Sequence, residues 1–136
     1  MDFRNKHLLM EKIKDSFSWI EIPVTDFDRA KKFYSTIYDF EMPETDMGNI
    51  RMGFLPVEEG GVGGSICAGE GYTPAPASIG CKIYLNGGED LNVVLNRVEA
   101  AGGKVVMNKT DIGEDHGFMA LFNDTEGNEL FLHSVK

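Results

Sequence analysis

The stretch FSWIEIPVTDFDRAKKFY (17–34) changes its hydrophobic period halfway along. In FSWIEIPV the aliphatic Ile20, Ile22 and Val24 alternate with Trp19, Glu21 and Pro23, the period of two of a strand with one buried face. Beyond it Ala30, Phe33, Tyr34 and Ile37 recur at three and four, the period of an amphipathic helix. Thr25 or Asp26 supplies the N-cap, and Asp28 adds negative charge to the first turn. A strand feeding directly into a helix is the expectation.

The same order returns downstream. After RMGFLPV (51–57), read as a strand, GGVGGSICAG (60–69) is a turn leading into another strand and TPAPAS (73–78) a Pro/Ala-rich connection. SIGCKIYLN (78–86) then alternates Ile79, Cys81, Ile83 and Leu85 against Gly80, Lys82 and Tyr84. EDLNVVLNRVEAAGG (89–103) reads as a helix stopped by paired glycines. KVVMN (104–108), HGFMALFND (116–124) and NELFLHSV (128–135) supply three further strands. Superposing the halves sets Ile20, Ile22 and Val24 on Cys81, Ile83 and Leu85, and RMGFLP on FMALFN, which marks an internal duplication. The expected fold is α+β: one domain over 1–136 built from two tandem β-α-β-β-β modules, 17–73 and 78–136. A helix over 1–16, with Leu8, Leu9 and Ile13 on one face, precedes them.

Bulk properties narrow the function classes. A chain of 136 residues with 42% hydrophobic residues forms a core without a disulfide or metal staple. Thirteen basic against 22 acidic residues leave a net charge of −9, which disfavours nucleic acid, whose phosphates need clustered Lys and Arg. No apolar run approaches the ~20 residues of a membrane span and no leader pattern opens the chain, so a cytoplasmic protein is expected. Cys67 and Cys81 form no CxxC or Cys/His spacing and read as small buried thiols in a reducing compartment. The glycines of 60–64 lack the Lys-Ser/Thr of a phosphate loop and serve as a turn. DTEGN (124–128) lacks the alternating acids of a calcium loop and reads as a hairpin turn, and His116 sits in an acidic surface loop.

Four segments, SWIEIPVTDFDRAKKFY (18–34), GGVGGSI (60–66), YLNGGEDLNVVLNRVEAAGGKVV (84–106) and FNDTEGNELFLHS (122–134), together resemble the glyoxalase/bleomycin-resistance/extradiol-dioxygenase superfamily, the vicinal oxygen chelate proteins. The resemblance implies a curved mixed sheet around a cleft, completed in a homodimer, and open strand edges in two small modules point the same way. With the aliphatic faces turned to the helices, the other faces line the cleft. The ligand-binding candidates are Trp19, Glu21, Cys67, Lys82, Tyr84, Glu129, Phe131 and His133.

In metal-dependent members each module contributes a ligand from its opening strand and one from its last strand. Counted from Asp26 and from DTEGN, those positions fall here on Trp19, Gly80 and Phe131, with Cys67 as the fourth. Indole, hydrogen and phenyl do not ligate a divalent cation, so no metal cofactor is expected. Glu21, Glu129 and His133 are the one alternative set of donors. The expected function is a small-molecule-binding dimer with a degenerate metal site. The runner-up is a metal-dependent lyase, isomerase or dioxygenase acting on vicinal oxygens.

Overall fold

The computed structural model describes residues 14–75 and 79–136, so nearly all of the expected N-terminal helix lies outside the described residues. In the first module β1 (Ile20–Pro23), α1 (Phe27–Tyr38), β2 (Glu44–Asp46), β3 (Ile50–Phe54) and β4 (Gly64–Gly69) form a four-stranded sheet in the order β1-β4-β3-β2. In the second, β5 (Tyr84–Asn86), α2 (Asn92–Leu95), β6 (Lys104–Asp111), β7 (Phe118–Asn123) and β8 (Glu129–Ser134) repeat it as β5-β8-β7-β6. In both sheets the first strand runs parallel to the last and the remaining pairs are antiparallel.

Alternation decides the faces of β1 as its sequence suggests: Ile22 and Val24 are buried while Trp19 and Glu21 are exposed. Asp26, not Thr25, caps α1, its carboxylate accepting from the Arg29 N–H at 3.1 Å. Phe27, Ala30, Phe33, Tyr34 and Ile37 form the buried face of α1.

The second module departs from expectation in two places. α2 is a single α-turn, and bonds of i→i−3 type, such as Arg97 to Val94 and Val98 to Leu95, mix with i→i−4 bonds through residue 102. Two asparagines and the adjacent β-branched Val93 and Val94 weaken the helix, although Leu91, Val94, Leu95 and Val98 keep a buried face at helical spacing. β5 is also only three residues long. Its pairing starts where the Ile83 carbonyl accepts from Phe131 N–H, and residues before it have no partner strand. Ile79 is therefore 75% exposed, and Cys81 is exposed rather than buried as the alternation predicts. Cys67 is fully buried.

One hydrophobic core joins the modules: Phe33 of α1 lies 6.0 Å, centroid to centroid, from Phe122 of β7. Gly103 is glycine because a Cβ there would come within 2.6 Å of the Phe33 ring and 2.5 Å of the Asn123 carbonyl.

The DTEGN turn is a hairpin turn that also latches the modules together. The Glu126 side chain is fully buried and accepts from the N–H groups of Thr25 and Asp26 at 3.0 and 2.7 Å, and from Arg29 Nε and Nη2 at 2.7 and 3.0 Å. Asn128 donates to the Pro23 carbonyl at 2.7 Å, and the buried Tyr34 hydroxyl donates to Asp124 at 2.8 Å. Burial would raise the Glu126 carboxyl, but Arg29 and the Asp26 and Thr25 N–H groups outweigh it and hold the group at about 2. For Asp124 burial wins, raising its pKa against the bonds from Asn128, Glu126 and Tyr34.

Candidate functional site

Strand register relates the two halves residue by residue. Glu21 pairs with Ser65 across β1 and β4, and Tyr84 with Phe131 across β5 and β8. Glu21 thus corresponds to Tyr84, Ser65 to Phe131 and Ile22 to Leu85. One register step further, Cys67 corresponds to His133, and two residues back from Glu21 and Tyr84, Trp19 corresponds to Lys82. The superposition of RMGFLP on FMALFN holds, since Met52 faces Cys67 as Met119 faces His133. The superposition of the opening strands keeps its phase but slips by two residues. Lys82 rather than Gly80 is the counterpart of Trp19, and Ser65 rather than Cys67 is the counterpart of Phe131. The slip arises because the link from strand to helix differs in length between modules, which alternation alone does not register.

The candidate residues form two groups on the two sheets. On the first, Trp19 is 43% exposed and meets Phe54 edge to face at 6.1 Å. Glu21 accepts a 2.7 Å hydrogen bond from the Tyr72 hydroxyl. That bond holds the Tyr72 phenol up at about 12. Cys67 lies beneath, its sulfur 3.2 Å from Ser65 Oγ, and burial pushes the thiol above its ordinary value, the behaviour of an inert thiol rather than a nucleophile. Tyr72 was not legible in the sequence. It stands in a Gly/Pro-rich connection with no periodicity to assign it a face.

On the second sheet Tyr84 and Phe131 stack at 4.5 Å with 19° between planes, and Lys82 Nζ stands 5.9 Å from the Phe131 centroid. Tyr84 is 48% exposed, which leaves the stack an open platform. His133 Nε2 donates to the His116 carbonyl at 2.8 Å and ties the platform's end to the acidic loop. Glu129 and His133 sit four residues apart on one strand, roughly 13 Å at strand rise, too far to share an ion. Among the described residues no hydrogen bond, ion pair or ring contact joins the two groups, and no three His, Cys, Asp or Glu side chains cluster as a metal site would require. No helix among them is long and apolar enough to cross a membrane.

The duplication and the register agree with comparisons to known proteins. A family model, the Glyoxalase/Bleomycin resistance protein/Dioxygenase superfamily, matches residues 16–132. A "Glyoxylase-like domain-containing protein" of Didymella fabae is 32% identical over 114 residues, covering 82% of this chain and 87% of the relative. Glyoxalase I from Zea mays superposes with a TM-score of 0.64 at 16% identity over 87% of this chain, which spans about half, 45%, of the maize enzyme's length. TnmS3, described as an antibiotic binding protein from Streptomyces sp. CB03234, superposes with a TM-score of 0.57 at 19% identity over 90% of this chain and 98% of its own. These structural likenesses concern the fold. Together with the family match, they lead to one assignment: the chain belongs to the glyoxalase/bleomycin resistance protein/dioxygenase superfamily.

Proposed function

We propose that the protein is a cytoplasmic, homodimeric small-molecule-binding member of the superfamily, whose concave faces hold a planar, partly apolar ligand without a divalent metal. The observation that carries this reading is the donor set. By register the four positions at which metal-dependent relatives place ligands hold Trp19, Ser65, Lys82 and Phe131. Indole and phenyl offer no lone pair, a neutral hydroxyl is a poor ligand, and an ammonium repels a cation. The residues present do not fit the metal. The alternative donors do not fit either, since Glu21 is engaged by Tyr72 and Glu129 is separated from His133 along β8.

What remains is aromatic surface with a few polar groups, the composition of a small-molecule site. The Tyr84–Phe131 stack offers a flat platform flanked by the Lys82 ammonium, while Trp19 and Phe54 offer a second platform beside Glu21. A ligand would meet Trp19, Tyr84, Lys82 and Glu21 at the surface, with Phe131 and Cys67 behind them and Glu129 and His133 at the ends of β8. Two half-exposed platforms on one chain suit closure by a second copy. That one structural neighbour is described as antibiotic-binding supports ligand holding as a use of this fold.

Trp19 is the single tryptophan, so its fluorescence reports on one face. Planar aromatic compounds that raise the melting temperature should shift that fluorescence, and Trp19→Ala should weaken them by about 1–3 kcal/mol. Sedimentation should give twice 15.1 kDa at micromolar concentration. Elemental analysis after incubation with zinc, nickel, manganese or iron should find no stoichiometric metal. One tightly bound equivalent per chain, with lyase or dioxygenase turnover, would replace this reading with the metal-enzyme one.

A further inference from the structure

The internal symmetry draws attention to a cavity away from the candidate residues described above. In each module the turn before the last strand faces the start of the other module's helix. The DTEGN turn closes onto α1 through Glu126. Its counterpart, counted from β3 and β7, is VEEGG (57–61), in which Glu59 and Gly60 take the places of Glu126 and Gly127 in a loop one residue longer. This turn does not close onto α2, and a groove of about 1190 Å³ opens between them.

The reason lies in what the start of α2 offers. Several of its backbone donors are already used: Gly88 N–H bonds Asn86 Oδ1, Leu91 N–H bonds Ser134 Oγ, and Asn92 N–H bonds Asp90 Oδ1. No basic residue occurs in 87–96, so nothing there does for Glu59 what Arg29 does for Glu126. Instead Glu89 and Asp90 add carboxylates on the facing wall. Those two are paired, with Lys136 at 3.0 Å and Lys109 at 3.0 Å. Arg97, the other cation of the groove, gives Nη1 to the Ile37 carbonyl at 3.2 Å. The Glu58 carbonyl accepts from Gly61 N–H at 2.9 Å, while its carboxylate has no ion-pair or hydrogen-bond partner among the described residues. The remaining walls are apolar, and Val57, Val62 and Val93 are 53%, 40% and 55% exposed along them.

We propose that this groove is a second binding site, specific for an amphipathic organic cation, an amine whose apolar body covers Val57, Val62 and Val93 and whose charge meets Glu58. The occupant supplies apolar cover for three exposed valines and a positive charge for the Glu58 carboxylate. The chain's net charge of −9 draws such a ligand from solution and repels its anionic analogue.

The test is a methyl-detected NMR titration of the full chain with 1-naphthylmethylammonium, neutral 1-naphthylmethanol and 1-naphthylacetate. The ammonium should shift the methyls of Val57, Val62 and Val93 on one binding curve, and bind at least fivefold tighter than the carboxylate. Glu58→Gln should weaken it about threefold, the size expected for one solvent-exposed charge pair. Val93→Arg, which places a cation in the groove from within, should weaken it tenfold or more. The methyls of Met52 and Met119, on the concave faces beside Cys67 and His133, are the internal control. Shifts confined to those two methionines, equal affinity for all three probes, no shift at the three valines, or a Glu58→Gln chain that binds the ammonium unchanged would each overturn the proposal. Failure here leaves the concave-face reading standing, because that reading is scored on Trp19 fluorescence.

Discussion

The turns DTEGN (124–128) and VEEGG (57–61) occupy equivalent places in a duplicated fold, share a Glu-Gly step and turn on a glycine of similar φ, +90° at Gly127 and +82° at Gly60. One is buried and joins the modules, while the other borders an open groove. The glycine φ does not separate them, although the loop carrying VEEGG is one residue longer between its paired strands. What separates them is the partner: the entry to α1 offers the Thr25 and Asp26 N–H groups and Arg29 to a carboxylate, whereas the start of α2 offers two acids and no basic residue. A buried carboxylate is stabilising only when its desolvation is met by full hydrogen bonding, so the same residue is a latch in one half and surface in the other.

The sharpest way to break this comparison is to neutralise each glutamate in turn. Glu126→Ala should cost about 3 kcal/mol in denaturant unfolding, since it removes the buried acceptor shared by the Thr25 and Asp26 N–H groups and Arg29. Glu59→Ala should stay within about 0.5 kcal/mol. Equal costs would mean the latch contributes nothing beyond surface.

Acid should produce the next largest effect. Glu126 is held at about 2, below the usual carboxylate range, so its contribution is present above pH ~4.5 and is lost as the pH falls toward 2. Asp124, held above its ordinary value by burial, works the other way and blunts the loss. Acid destabilisation should result, and Glu126→Gln should lose less stability on acidification than the parent, although Glu44 and Asp90, also held low, still contribute. A variant whose acid profile matches the parent would assign the loss elsewhere.

Tyr34→Phe should cost about 1.5 kcal/mol by removing the donor to the buried Asp124 carboxylate, read as a fall in denaturation midpoint at unchanged slope. Smallest of all, and equal in both halves, should be the glycines. Gly60→Ala and Gly127→Ala meet no atom within 4 Å, so each should cost about 1 kcal/mol for its positive φ alone. A large difference between them would show that the turns differ in backbone after all.

Much of this was readable from residues. The period change at Thr25, the return of strand then helix after Ser78, and the alternation of Leu130 and Leu132 against Phe131 and His133 follow from where apolar side chains can be buried, a local property of the chain. The two-residue slip between opening strands was not readable, because alternation fixes phase but not register, and register is set by the partner strand. Nor was the exposure of Cys81, which depends on β8 not extending to meet it.

The sequence alone therefore carried the duplication, the α+β class, the superfamily and the aromatic character of the candidate site, since each is written in spacing and residue type. Tertiary structure decided which carboxylate is latch and which is surface, that Tyr72 engages Glu21, and that Lys82 and Ser65 complete the set of four concave positions. Those outcomes depend on donors and strands brought from more than forty residues away, the separation being 101 for Thr25 with Glu126 and 51 for Tyr72 with Glu21. Hydrophobic period is a property of neighbours in sequence, whereas hydrogen-bond satisfaction is a property of neighbours in space.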